Sequence, residues 1–177
     1  MQKRKSAFRN VQTLTLSAML AAISVIIGIF CKNFLNFDNG LFRITFENLP
    51  IIFSGILFGP VVGGMVGVTS DLISYLLSSQ AYPPNLIVTL GAFAVGFVSG
   101  LMAKYVVRRP GTLQTVLSAS VAHIVGSMII KPIGLYQFYG ILVLFRIPLY
   151  LVIAPVEICI LCWILRRKYF QRMFESR

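Results

Sequence analysis

The 177-residue chain is 57% hydrophobic and only 12% charged, with 16 Lys and Arg set against 5 Asp and Glu for a formal net charge of +11. Soluble domains carry roughly a quarter charged residues, so a water-facing surface is excluded over most of the chain. The basic excess does not indicate nucleic acid, because the Lys and Arg lie between apolar runs and not on one folded polar face.

Taken in order, the chain opens with Lys3, Arg4, Lys5 and Arg9 ahead of an apolar stretch over 14–30. That pattern has the outline of a signal peptide, but no small-x-small cleavage site follows, so the stretch reads as a retained first helix. Crossing the hydrocarbon core takes about 20 helical residues. Runs of that order predict helices over 11–31, 47–58, 61–78, 85–107, 112–131 and 140–165. The second is short, and Gly59-Pro60 sets a tight turn between it and the third. From Asn48 to Ala103 the acid and base side chains other than tyrosine reduce to Asp71, which leaves lipid as the natural solvent. The expected fold is all-α: a single membrane domain over 1–177, an integral membrane bundle of six transmembrane helices.

Basic residues of short loops stay on the cytoplasmic side. Three clusters share that side: the N-terminal group, then Lys104, Arg108 and Arg109, then Arg166, Arg167, Lys168, Arg172 and Arg177. This requires an even number of spans and puts both termini in the cytoplasm. The outer connections then fall at 32–46, 79–84 and 132–139. No phosphate loop of the G-x-x-x-x-G-K-[ST] type occurs, so work against a gradient needs a partner or an ion. Cys31, Cys159 and Cys162 are too few for a disulfide framework, and the Cys159-x-x-Cys162 pair inside an apolar run reads as packing. Neither a cofactor nor a metal is implied.

Small residues recur every fourth position as Ala18 and Ala22, as Gly59, Gly63 and Gly67, and as Ala92, Gly96 and Gly100. In lipid such ridges let helix backbones approach closely. The glycine ridges read as internal packing; the Ala18–Ala22 stripe, on a helix otherwise apolar, could equally meet another protein.

The polar residues that packing does not need gather at the outer side. Arg43, Lys131 and Arg146 accompany Phe46, Tyr82, Tyr136, Phe138 and Tyr139, with Asn48, Asn85 and Thr89 as neutral polar groups. Aromatic walls and a few placed polar groups make a small-molecule pocket. Counting Lys32, Arg43, Lys131 and Arg146 against Asp38 and Glu47, the mouth is positive and favours an anionic ligand. An aromatic belt with snorkelling cations is the alternative. His123, eight residues or about two helical turns before Lys131, is placed to form a pocket floor. Asp71 and Glu157 read as hydrogen-bond ties between helices. No nucleophile is spaced beside His123 and no H-x-x-x-H pair exists, so the chain does not read as an enzyme.

The stretches Phe42-Arg43-Ile44-Thr45-Phe46-Glu47-Asn48-Leu49-Pro50, Gly55-Ile56-Leu57-Phe58-Gly59-Pro60-Val61-Val62-Gly63-Gly64 and Ser70-Asp71-Leu72 resemble the substrate-binding S components of energy-coupling factor (ECF) vitamin transporters. Tyr82-Pro83-Pro84-Asn85, Thr89-Leu90-Gly91-Ala92 and Gly96-Phe97-Val98-Ser99-Gly100 resemble the fourth-helix region of the folate-specific branch. The resemblance implies a six-helix bundle with an outward-facing vitamin pocket holding Arg43, Phe46, Asn85, Thr89, His123, Lys131, Tyr139 and Arg146. It implies that Ala18 and Ala22 meet a transmembrane coupling protein, and that two cytoplasmic ATPase subunits drive a toppling of the bundle. Folate suits these residues: its pterin could stack on Phe46 or Tyr139 and pair with Asn85 or Asn48, and its two carboxylates match Arg43, Lys131 and Arg146. Thiamine, a cation, fits a positive mouth badly. Riboflavin or another aromatic vitamin, and a stand-alone secondary transporter, are the other readings; the latter would often show inverted repeats, and none is evident.

Overall fold

The computed structural model describes residues 11–37, 42–77, 85–107 and 111–166. The basic clusters at Lys3 to Arg9, at Arg108 and Arg109 and beyond Arg166, together with Asp38 and Tyr82, lie outside the described residues.

Helix α1 covers Val11–Phe34 and turns a stripe of Ser17, Ala21, Ser24, Val25, Gly28 and Cys31 inward. It leads into a two-residue strand, β1 (Asn36–Phe37), which pairs antiparallel with β2 (Phe42–Arg43) in the register Asn36 to Arg43 and Phe37 to Phe42. This ladder departs from the purely helical expectation, although the rest of the described fold is helical. Helix α2 (Asn48–Phe58) is too short to cross the core upright and is buried from Pro50 to Leu57, so it runs through the middle of the bundle. Gly59, with φ at +96°, lets the chain turn at once into α3 (Pro60–Leu77), where proline opens the helix at no hydrogen-bond cost.

Helix α4 (Leu86–Leu101) continues through a π-helical turn, Met102–Val106. It packs against α2 and α3 across the glycine ridges. A methyl group on Gly96 would overlap the carbonyl of Gly63, and one on Gly67 would overlap that of Ala92. The backbones touch there, as small residues permit in lipid. Around this contact lies the main core of Ile51, Ile52, Phe53, Ile56, Val62, Val66 and Val95, continued by Ala119, Ala122 and Leu161.

From Thr112 to Leu165 the helical backbone runs through α5 (Thr112–Ala122), a π-helical segment (His123–Ile130), α6 (Lys131–Tyr139), a 3-10 turn (Gly140–Phe145) and α7 (Arg146–Leu165). At 1.5 Å per residue, 54 residues in line would span roughly 80 Å. The run instead doubles back, because α5 packs against α7; Gly140, at φ +57°, takes the reversal. The expected outer loop over 132–139 is therefore helix. Pro132 stands at the second position of α6, directly after the π-helical segment. Large apolar side chains such as Ile26, Leu76, Ile141, Leu151 and Val152 remain exposed around the bundle. In water they would be a liability; in a bilayer they are the lipid face.

Candidate functional site

Four helices present residues at spacing i, i+4, which sets them on one face: Asp71 and Tyr75 on α3, Asn85 and Thr89 at the head of α4, Lys131 and Leu135 on α6, Arg146 and Tyr150 on α7. With Lys32, Thr45, Glu47, Leu72 and Val88 these residues line one cleft. Its clear space is about 40 Å3, room for about three waters. A drug-sized ligand takes several hundred Å3, more than the clear space between the described walls.

On one side, Lys131 is buried at 5% exposure and held by two acceptors: its Nζ donates to Asn48 Oδ1 at 3.1 Å and stands 3.4 Å from Glu47 Oε1. Asn48 in turn donates to Ser127 Oγ at 3.3 Å. Gly91 leaves passage for the lysine stem, since a Cβ there would sit 2.6 Å from Lys131 Cγ. Gly28 does the same for the Glu47 carboxylate, which a Cβ at that position would approach to 3.0 Å. On the other side, Thr89 donates to Asp71 Oδ2 at 2.7 Å, tying α4 to α3. Lys32 reaches from α1 to Ser74, 2.7 Å to Oγ and 3.2 Å to the carbonyl. Arg146, also buried, lies over the Tyr139 ring at 5.4 Å. The described lining carries Lys32, Lys131 and Arg146 against Glu47 and Asp71. One positive charge is in excess, which suits an anion.

The residues singled out from the sequence separate into three groups. Thr89, Lys131, Arg146 and Asn85 line the cleft, although Asn85 is also structural, because its Oδ1 caps α4 at Ile87 N and its Nδ2 donates to the Gly134 carbonyl at 2.6 Å. Asn48, fully buried, acts on the cleft through Lys131. Phe46 is half-buried beside the segment and Tyr139 packs on Val88, Leu135 and Val143; neither is among the described lining residues. Tyr136 points away, exposed in an apolar surface groove with Ile129, Ile133 and Leu144. His123 does not form the floor: its Nε2 stands 2.8 Å from Glu157 Oε2, both side chains sealed from solvent and off the cleft lining. Arg43 is placed by its β2 backbone, and β2 lies against α7; its side chain falls outside the described set.

Tyr75, Tyr150, Glu47 and Asp71 belong to the lining, although the sequence pattern assigns none of them to a ligand. A signal for the tyrosines exists, because Tyr75 follows Asp71 and Tyr150 follows Arg146 by four positions. Ala18 and Ala22 are exposed on α1 while their neighbours Ser17 and Ala21 face inward. The small pair is therefore on the outside of the bundle.

A sequence model of the family described as ECF transporter, substrate-specific component, matches residues 12–169. The chain is 33% identical over 81 residues to the folate transporter FolT of Clostridium novyi (strain NT), a match that covers 45% of this chain and 46% of that protein. It thus spans about half the length of that curated relative. The fold is similar to the crystal structure of FolT bound with folic acid, with a TM-score of 0.70 at 21% identity, over 88% of this chain and 93% of that chain.

Proposed function

The chain belongs to the substrate-specific components of ECF transporters, a transport component and not an enzyme, and from that premise we propose that it binds folate in the cleft between α3, α4, α6 and α7. Family membership takes the place of the stand-alone secondary transporter that the sequence left open. The observation that carries the ligand reading is the pairing of two buried cations, Lys131 and Arg146, with the rings of Tyr75 and Tyr150 in one cleft. An aromatic anion satisfies both at once: the rings hold its flat part and the cations its carboxylates. The relatives of known ligand, a folate transporter and a folic-acid complex, support the same choice.

The 112–165 run reverses at Gly140 and so counts as two crossings. With α1, α3 and α4 this makes five, and the short, buried α2 counts as a sixth, partial crossing; an even number is what the basic clusters require if both termini are cytoplasmic. The cleft then opens outward. Delivery inward falls to a coupling protein seated on the exposed Ala18–Ala22 face of α1, driven by two cytoplasmic ATPase subunits through a toppling of the bundle.

Calorimetric titration of the detergent-purified chain, alone and without sodium, tests this. Folate is expected to bind with submicromolar Kd while thiamine does not bind, and riboflavin binds far more weakly. Tight riboflavin binding without folate binding would move the chain to another vitamin. No binding of any of the three would remove the vitamin reading. Trp163 lies 17 residues along α7 from Arg146, roughly 25 Å, so Tyr75 and Tyr150 are the better optical reporters.

A further inference from the structure

Of the two acids in the cleft, Glu47 is engaged by the ammonium of Lys131. Asp71 is different. Among the described residues its hydrogen-bond partner is a neutral hydroxyl, Thr89 Oγ1, at 2.7 Å. It borders both the main cleft and the small polar cavity beside it, which Ser24, Ser70 and Ser74 line together with Glu47 and Lys131. An acid in a membrane bundle that faces a ligand cleft is costly unless it serves a ligand or ties helices. The Thr89 bond accounts for one of about four acceptor positions on the carboxylate, and the residue lines the cleft.

We propose that Asp71 reads the amino-pyrimidine edge of the pterin, accepting two parallel hydrogen bonds from the ring N3–H and the exocyclic 2-amino group. This rests on the folate reading above. The pterin edge presents two adjacent donors at the spacing of an arginine fork, and a carboxylate receives such a pair in plane with charge-assisted strength. Thr89 fixes the plane by holding Oδ2 from the α4 side, so Asp71 is oriented before the ligand arrives.

This arrangement is also a specificity filter. The corresponding edge of a flavin is a single N–H between two carbonyls, whose lone pairs would confront the carboxylate. A site built to receive hydrogen bonds rejects the analogue that lacks the donor far more strongly than an apolar pocket rejects a change of size.

The test compares folate with its analogue carrying 2-methyl in place of 2-amino, of nearly equal volume, by calorimetry on the purified chain. The native protein is expected to prefer folate by roughly 30-fold or more. In Asp71→Asn the folate affinity is expected to fall by a similar factor, and the preference to shrink to within about threefold. Thr89→Val, which keeps the carboxylate but frees its orientation, is expected to lose several-fold of the preference. Equal binding of both compounds by the native protein overturns the assignment without any variant, and so does an undiminished preference in Asp71→Asn. If the native protein binds neither compound, the folate reading itself falls, an outcome distinct from equal binding of both.

Discussion

The Glu47–Lys131 contact makes a sign test possible. The two charges lie 3.4 Å apart with side-chain exposures of 16% and 6%, and at an effective dielectric near 20 the gross attraction is about 5 kcal/mol. Desolvation of both groups cancels most of that. A ligand carboxylate drawn to Lys131 meets the like charge of Glu47 beside it, so the free protein carries a built-in competitor for the anion. Glu47→Gln keeps the shape over Gly28 and removes the charge; folate affinity is expected to rise by about 3- to 10-fold, or roughly 0.7–1.4 kcal/mol. Lys131→Met removes the cation and strands Asn48 Oδ1; affinity is expected to fall by about 10- to 100-fold, or roughly 1.4–2.7 kcal/mol. Calorimetry gives both values, and thermal unfolding of each variant in detergent separates binding from folding. If the two variants weaken folate binding by the same factor, the pair is a scaffold and the competition argument is refuted.

Three further outcomes follow from the packing. Gly91→Val intrudes on the Lys131 stem and is expected to lower folate affinity by about tenfold while the helical content in circular dichroism is unchanged. His123→Ala leaves Glu157 buried without its partner; a loss of about 2–4 kcal/mol in stability is expected as a lowered unfolding temperature, with folate affinity of the folded fraction within about threefold of native. Ala18→Trp fills the exposed notch of α1 and is expected to leave folate binding intact while abolishing uptake in vesicles that contain the coupling protein and ATPases. Lost ligand binding in that variant would mean the notch supports the bundle from within.

The helical bundle is legible in the sequence because lipid imposes a coarse rule: a run from Asn48 to Ala103 carrying Asp71 as its one acid or base, tyrosine aside, has few alternatives. The glycine ridges are legible for the same reason, and the contacts of Gly63, Gly67 and Gly96 lie inside the bundle. Orientation around a helix axis is harder to read. Tyr136 sits five residues after Lys131, about 140° around the helix, and faces outward, whereas Leu135, four residues on, stays beside the lysine. Tyr75 and Tyr150 escape notice because a tyrosine in an apolar run reads as an interfacial anchor. The four-residue spacing applied to Asp71 and Arg146 finds them. The fate of His123 has no local signal, since its partner Glu157 lies 34 positions away on a helix that returns only because Gly140 reverses the chain.

Protection of a thiol within the cleft addresses the central claim most directly. Leu72 lines the cleft at 48% exposure, whereas Leu77, on the same helix at 65% exposure, does not. With Cys31, Cys159 and Cys162 changed to Ser, Leu72→Cys and Leu77→Cys can each be labelled with N-ethylmaleimide in the presence and absence of saturating folate. Labelling at position 72 is expected to slow by tenfold or more with folate, and labelling at 77 to be unchanged. Folate that binds yet leaves position 72 as reactive as before would put the ligand elsewhere and contradict the account.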